Sequence, residues 1–345
     1  MTEKLKALPK LLPGFAIALI IATISRFIEY LLPIPLIGAS IIALFIGMII
    51  NGIRKPAAIL KPGLTFTSKR ILKFAIILLG ASLSISTILT VGRMSLVVMC
   101  FTLLTCFGGG YICGKLLGLN WKLSNLISAG TGICGGSAIA AIAPVIDAED
   151  KDIAYAMSAT FLFDMAMIVL FPILGRQLGL SDMAYGLWAG TAVNDTSSVV
   201  AAGFAFSEAA GDFATMVKLT RTLSIIPVVI IFALINDSIK RKEAKANNAE
   251  ATHVKLRITN ILPYFILGFL LLALLNSIGF IPAALSTMAK EVSKFLMIAA
   301  LAAIGLNTSF KEMKKSGIAP MIHGFIISAL VVIVAIAVEY FMGIV

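Results

Sequence analysis

The feature that most constrains this chain is an apolar run of about 20 residues, the length that crosses a bilayer core of about 30 Å, which recurs eleven times. With 59% hydrophobic and only 13% charged residues, the chain has too little polar surface to cover an ordinary core in water. The pattern predicts an all-α polytopic membrane protein with about 11 transmembrane helices. It excludes a soluble enzyme, a nucleic-acid-binding protein and a disordered chain. The predicted spans begin near Gly14, Ile37, Ile71, Ser95, Ser124, Ile153, Met183, Thr215, Asn260, Ser293 and Ala319.

Basic residues predict the orientation of these spans, because cytoplasmic connections carry an excess of Lys and Arg. Most of the 28 basic residues fall in connections that alternate along the chain, including those around Arg54, Lys122 and Lys240. With Arg176 assigned to the same side and the acidic stretch 147–150 to the opposite side, the N-terminus is predicted to be cytoplasmic and the C-terminus outside.

We expect one integral membrane domain over residues 1–345, with a polar cytoplasmic loop at 236–259. Residues 34–176 and 183–345 are candidate inverted five-helix repeats, an arrangement that pairs the fifth span with the tenth. Two internal similarities stand beside this prediction. Residues 73–84 are similar to 294–309, and residues 129–141 are similar to 189–201.

Two spans carry candidate helix breaks. Gly-rich backbone at membrane depth is tolerated only inside protein or beside water, and four glycines fall between Gly130 and Gly136, with Ser137 as a candidate cap for the second half-helix. Close packing of helices through small residues is the alternative. In the tenth span, residues 305–309 are either the partner break or the helix end. Two crossed broken helices would bring positive half-helix N-termini together, which favours anion binding.

Ionisable residues inside the membrane are functional candidates by default. Asp164 lies about eleven residues into an apolar span, and Asn194-Asp195-Thr196-Ser197-Ser198 is similarly central. These groups can line a polar cavity or coordinate an ion, or they can form a structural network between helices. For Lys218 and Arg221 the favoured interpretation is snorkelling to the outer interface, and attraction of an anion is the alternative.

Three stretches resemble the YeiH family of bacterial membrane proteins, which carry the label sulfate exporters. They are residues 33–38 followed by Gly47-Met48, residues 130–141, and residues 189–198. The resemblance covers essentially the whole chain. It implies a bacterial inner-membrane protein that exports a small anion such as sulfate.

A more distant resemblance is to the cation/proton antiporter and bile-acid symporter superfamily. Residues 161–166 are similar to the ion-binding carboxylate segment of the antiporters, which follows a broken helix. Phe163 stands where many antiporters have a polar residue, and this departure argues against direct sodium–proton exchange. The resemblance implies a core domain with two crossed broken helices that moves against a panel domain.

These observations predict a secondary transporter, not an enzyme, whose anion site lies between the breaks of the fifth and tenth spans. Asp164 would be a proton switch that repels the anion when ionised and admits it when protonated. No catalytic residue, metal site or organic cofactor is expected; the coupling ion is H⁺ or Na⁺, or the membrane potential drives transport. The expected partners are the lipid bilayer and the anion, without nucleic acid, and a homodimer is compatible with the sequence. The predicted binding residues are Asp164, Asn194, Asp195, Thr131, Gly135, Gly136, Ser137, Thr196, Ser197, Asn307 and Ser309.

Three alternatives remain open. A sodium/proton-type antiporter would bind its cation at Asp164 and Asp195, and a passive channel would use the same polar groups without coupling. An intramembrane hydrolase would pair Ser137 with His323, although Ser137 lacks the Gly-x-Ser-x-Gly context of a nucleophile elbow.

Overall fold

The structure is a computed structural model that describes residues 2–31, 39–246, 264–308 and 317–345. Every regular element in these ranges is helical. In chain order they are α1 (Thr2–Leu31), α2 (Ala39–Ile53), α3 (Lys61–Phe66), α4 (Leu72–Gly80), α5 (Ile85–Leu104), α6 (Gly110–Leu116), α7 (Trp121–Ala129), α8 (Gly136–Ile142), α9 (Asp150–Gln177), α10 (Asp182–Ala192), α11 (Thr196–Phe206), α12 (Glu208–Leu223), α13 (Ile225–Ala246), α14 (Tyr264–Ser277), α15 (Ala283–Asn307) and α16 (Ile318–Phe341). Short π-helical turns join α3 to α4, α5 to α6, and continue α7 over Gly130–Cys134.

Five of the described helical segments are long and apolar enough to cross a membrane: Lys10–Leu31, Ile85–Leu116, Lys151–Gln177, Glu208–Lys240 and Ile318–Phe341. Three shorter apolar helices, α2, α11 and α14, accompany them. The all-helical class predicted from the sequence is confirmed. The predicted loop at 236–259 is wrong at its start, because α13 continues to Ala246, and its remainder lies outside the described residues.

The fifth predicted span is a helical hairpin that returns to the side from which it entered. Lys122, at the start of α7, donates a hydrogen bond to the carbonyl of Asp147, just beyond α8, at 2.7 Å. Asn120 reaches Asp152 at the start of α9 at 3.2 Å. The two ends of this hairpin therefore lie together at its base. We call α7 and α8 the first hairpin.

The seventh predicted span is a second hairpin (α10–α11). Ser207, after α11, donates a hydrogen bond to Asp182 at the start of α10 at 2.6 Å. Further in, the hydroxyl of Tyr185 donates to the carbonyl of Ala202, and the Tyr185 ring stacks on Phe206. Both hairpins replace crossings in the predicted topology, so the stretch 147–150 lies with Lys122 and not opposite to it. Arg176 lies at the base of the second hairpin.

Around the hairpins, helices approach closely through glycine. A side chain at Gly47 of α2 would collide with the backbone of α15 near Ala302, and one at Gly305 of α15 would collide with the backbone near Leu44. The fit between α2 and α15 therefore depends on both glycines. Gly110 of α6 packs in the same way, against Ser128 of α7.

Ion pairs join α12 to α15, and α15 to α1. Lys290 of α15 contacts Asp212 at 2.6 Å, and Lys294 contacts Glu208 at 2.6 Å. Arg26 of α1 extends the row through Glu291 at 3.0 Å. All these contacts lie toward the end of the bundle where α12 begins.

Candidate functional site at the meeting of two hairpin bends

The bend of the first hairpin forms where the glycines are concentrated. After α7 the chain makes a π-helical turn over Gly130–Cys134, and Gly135 then adopts φ +64° and ψ −135°. Glycine enters this region without the steric cost that a side chain would impose. A side chain at Gly135 would also collide with Asp195 of the second hairpin. The predicted break in the fifth span is confirmed.

The bend of the second hairpin is a short link between Ala192 and Thr196. Asp195 is the N-cap of α11, and its carboxylate accepts hydrogen bonds from the backbone N–H of Ser197 at 2.8 Å and from the Ser197 hydroxyl. Short polar side chains such as those of Asn194 and Asp195 favour a helix start over an uninterrupted helix. The two bends therefore face each other through Gly135 and Asp195.

Lys218 of α12 joins the two bends. Its ammonium donates to the carbonyl of Ile133 in the first bend at 2.8 Å and to the carbonyl of Val193 in the second at 3.0 Å. Lys218 is 0% exposed. The predicted snorkelling to the outer interface is therefore wrong.

Arg221, one turn further along α12, donates hydrogen bonds to two further carbonyls of the first bend. Its Nε donates to Gly132 at 2.6 Å, and its Nη2 donates to Thr131 at 2.6 Å. A third, longer contact of 3.4 Å joins Nη1 to Val193. Carbonyls at a helix C-terminus lack intrahelical partners and carry a partial negative charge. Both cations of α12 are thus placed at the negative ends of α7 and α10.

We call the place where the two bends meet the junction. Asp164 of α9 contacts the junction from the side of the backbone N–H groups, whereas Lys218 and Arg221 contact its carbonyls. One carboxylate oxygen accepts the backbone N–H of Asn194 at 2.9 Å, and the other accepts that of Asp195 at 3.0 Å. These N–H groups stand at the start of α11, where the helix dipole favours negative charge. Asp164 is 1% exposed, so the contact is shielded from water.

The junction is balanced in formal charge, with Lys218 and Arg221 facing Asp164 and Asp195 as ionised groups. Three buried side-chain atoms nevertheless have no hydrogen-bond partner among the described residues: the Thr131 hydroxyl, the Asn194 amide oxygen and the Ser198 hydroxyl. An unpartnered buried polar group costs about 1–3 kcal/mol. Three such groups around two helix bends are typical of a place that receives a ligand or water.

Comparison with known proteins identifies the family. The family model described as Conserved hypothetical protein 698 matches residues 13–324. A UPF0324 membrane protein of Clostridium tetani is 57% identical over 334 residues, covering 96% of this chain and 97% of the relative. UPF0324 membrane proteins of Streptococcus agalactiae and Fusobacterium nucleatum are each 38% identical, over 96% and 90% of this chain and 98% and 92% of the relatives. The chain belongs to the UPF0324 membrane protein family. It is a multi-pass helical membrane protein.

Several predicted site residues of the UPF0324 protein do lie at the junction. Asp164, Asn194, Asp195, Ser197 and Thr131 surround the two bends, as the contacts above show, with Gly135 between them. Thr196 is partly exposed at the start of α11.

Gly136 and Ser137 lie further along the first hairpin. Gly136 has only the tip of Met157 near it. Ser137 is exposed on α8, and the residue before α8 offers no side-chain cap. The predicted capping role of Ser137 is therefore wrong.

Of the two alternatives for residues 305–309, the described residues show the end of a helix. In the UPF0324 protein α15 is unbroken from Ala283 to Asn307, and Gly305 serves the packing against α2 described above. Asn307 is the exposed last residue of the helix, and Ser309 lies outside the described residues. The break in the fifth span meets the bend of the seventh span instead.

The geometry offers no support for the predicted hydrolase pairing. His323 contacts the hydroxyl of Ser124, in the first turn of α7, at 3.3 Å, whereas Ser137 is on α8. Within the described ranges no group of three or more His, Cys, Asp or Glu side chains could hold a metal ion.

The cations are what sequence reasoning missed at this site. Lys218 and Arg221, which the sequence predicts at the membrane surface, make the contacts that join the two hairpins. The available signal was two cations one turn apart in an apolar segment with no acidic residue within one turn of them.

Proposed function

We propose that this UPF0324 membrane protein is a secondary transporter of a small anion, driven by protons or by the membrane potential. The observation that carries the proposal is the junction itself. Two buried cations and two carboxylates surround two facing helix bends, together with unpartnered polar atoms. The resemblance to the sulfate-exporter family makes sulfate the first anion to test.

The balance of charge at the junction couples the movement of the proton to that of the anion. With Asp164 and Asp195 ionised, the junction is neutral and offers no net attraction to an anion. Protonation of Asp164 leaves one positive charge uncompensated at a place with little water, where an unpaired charge is costly. A monovalent anion that enters with the proton restores neutrality, and sulfate leaves one net negative charge at the junction. In this scheme proton and anion move together.

Access to the junction supports an alternating mechanism. At the end where α12 begins, Lys290–Asp212 and Lys294–Glu208 hold α15 against α12. Toward the other end, α8 leaves Ser137, Ala140 and Pro144 exposed. We interpret this arrangement as closed on the outer side, with a path along α8 from the inner side. The resemblance to the antiporter superfamily supports movement of the hairpin-bearing core against the remaining helices.

The energy source is a gradient, because the chain contains no Walker-type G-x-x-x-x-G-K-[ST] motif. For export from a cell with an inside-negative potential, the potential contributes about 2.3 kcal/mol per 100 mV for each net negative charge moved. Sulfate with one proton moves one net negative charge, and a monovalent anion with one proton moves none. We place the protein in the bacterial cell membrane, with the N-terminus in the cytoplasm and the C-terminus outside.

Flux measurements test the proposal. Purified protein in proteoliposomes should take up labelled sulfate, or another small oxyanion, in response to an imposed pH gradient or potential. Asp164→Asn should abolish the pH dependence. Glu339→Gln is the matched control, because Glu339 is an equally buried carboxyl group without contacts to the hairpin bends.

Unchanged flux and unchanged pH dependence in Asp164→Asn would contradict the switch role of Asp164. Sodium-driven proton movement without anion flux would favour the antiporter alternative, and uncoupled flux that only dissipates a gradient would favour a channel.

A further inference from the structure

We propose that the anion binds at the N-terminus of α11, in the position that the Asp164 carboxylate now occupies, so that Asp164 is a built-in occupant which the substrate displaces. The inference rests on the proposed function, because it names the binding position within the same junction. Displacement follows protonation of Asp164, which turns its carboxylate into a poorer acceptor.

The first argument is the geometry of Asp164. Its two oxygens accept two consecutive backbone N–H groups, those of Asn194 and Asp195, at 2.9 and 3.0 Å. A carboxylate that bridges two N–H groups presents them with the same pair of oxygens that an oxyanion would present. Helix N-termini bind sulfate, phosphate and carboxylate by this arrangement. Asp164 belongs to α9, so it can leave without unfolding α11.

The second argument is an unused donor at the same helix end. Ser198 is in the first turn of α11, is 1% exposed, and its hydroxyl has no partner. Helical side chains tilt toward the N-terminus of their helix, so a side chain in the first turn of α11 is on the side of the N–H groups that Asp164 accepts. An anion in this position would gain a third donor that Asp164 does not use.

The third argument concerns the cations. Arg221 already donates through all three of its nitrogens to carbonyls of the two bends, and Lys218 donates to two carbonyls. They supply compensating charge, and each of their side-chain nitrogens already donates to a carbonyl of the hairpin bends. The backbone N–H groups of Asn194 and Asp195, just before α11, are the donors that become free when Asp164 leaves.

The proton also has an acceptor nearby. The side-chain nitrogen of Asn194 contacts Ser328 at 3.4 Å, whereas its amide oxygen has no partner. The backbone N–H of Asn194 already contacts Asp164, so in this scheme its side-chain oxygen turns to accept the hydroxyl of the protonated acid. Asn194 would then hold Asp164 aside while the anion is bound.

The experiment is rescue of stability by a small carboxylate. Asp164→Ala removes the occupant and leaves two N–H groups without an acceptor, so the purified variant should have a lowered melting temperature. Millimolar formate should restore most of that loss, and neutral formamide at the same concentration should not. Glu339→Ala is the control, because it also deletes a buried carboxyl group, but one whose two oxygens have no donor; formate should not stabilise it.

Equal effects of formate on both variants, or no effect on Asp164→Ala, would overturn the inference. If Asp164→Ala does not fold in plain buffer, its recovery is measured after expression and purification with formate or with formamide. Recovery in formate alone supports the proposal, and recovery in neither overturns it.

A second measurement uses sulfate as the probe. Wild-type protein should bind sulfate more tightly as the pH falls. At neutral pH it should bind sulfate on the order of tenfold more weakly than Asp164→Ala, because the anion must displace charge-assisted hydrogen bonds. Both measurements report binding and not flux. Rescue by formate without transport would therefore contradict the proposed transport function and support the anion site. Transport without rescue would contradict the anion site and support the transport function.

Discussion

Gly135 illustrates how one residue can determine the meeting of two hairpins. Its positive φ disfavours any side chain, and the space beside it is filled by Asp195. We expect Gly135→Ala to destabilise the protein by about 1–3 kcal/mol, the cost of a residue held in a sparsely populated backbone region. Thermal denaturation in detergent measures it. The neighbouring Gly136→Ala should be close to neutral, since only the tip of Met157 approaches it; equal losses in both variants would contradict this account.

Lys218 and Asp164 should be coupled, because they carry opposite charges at one buried junction. Lys218→Met leaves the carbonyls of Ile133 and Val193 without a donor, and it leaves a carboxylate uncompensated. We expect it to cost about 3–5 kcal/mol, as for other buried pairs that lose one partner. The double variant with Asp164→Asn should lose less than the sum of the two single losses. Additive losses in a thermal-denaturation cycle would show that the two charges are independent.

At the residue scale, the sequence predicted the carboxylates but not the cations, and depth is the reason. Asp164 stands alone in an apolar stretch, so its burial follows from its neighbours. The apolar pattern predicts that this span begins near Thr215, and this start puts Lys218 and Arg221 near a helix end. In the structure α12 begins at Glu208, which puts both residues about 15–20 Å along the helix at 1.5 Å per residue.

At the scale of elements, the sequence predicted the breaks but not the direction in which the chain leaves them. A glycine-rich interruption has the same composition whether the second half-helix continues or returns. Basic residues do not distinguish the two cases either. Replacing both crossings by hairpins moves Arg176 to one side and Lys151 to the other, so the number of basic residues on the inner side is unchanged. The contact between Lys122 and Asp147 is what reveals the return.

The base of the first hairpin should make stability depend on pH. Asp147 contacts Lys240 at 2.7 Å and accepts a hydrogen bond from Asn236, and the hydrogen bond from Lys240 lowers the pKa of Asp147 below its ordinary value. A lowered pKa in the folded state adds stability above the unfolded-state value of about 3.9, and that stability is lost as the pH falls through the folded-state value.

Asp147→Asn should therefore lower the free energy of unfolding at pH 7, measured by thermal denaturation, by no more than about 1 kcal/mol, because the pair is partly exposed. The difference from wild type should shrink as the pH falls from about 3.9 through the folded-state pKa of Asp147. Glu149→Gln is the control, since Glu149 is exposed and pairs with its neighbour Lys151, so solvent screening should leave a smaller pH-dependent difference. A difference that persists in acid would show that Asp147 acts through packing and not through its charge.

At the scale of the whole molecule, the internal similarity of residues 129–141 to 189–201 coincides with the two bends that meet. Each hairpin is followed by a long helix, α9 or α12, and each of these helices carries charges to the junction. The predicted five-span repeats paired the fifth span with the tenth instead. A unit of one hairpin and one helix, repeated in opposite orientations, accounts for the similarity and is our interpretation of the core.

This arrangement makes a topology prediction that differs from eleven crossings. In a background without the four native cysteines, single cysteines at Lys122 and Asp147 should react with a membrane-impermeant maleimide from the same side. Cysteines at Arg176 and Ser207 should react from the opposite side. Eleven crossings place Asp147 opposite Lys122 and put Arg176 on the side of Lys122, so the two arrangements differ at two positions. Labelling of intact cells against inside-out vesicles decides between them, because only a chain that turns back at Gly135 returns Asp147 to its starting side.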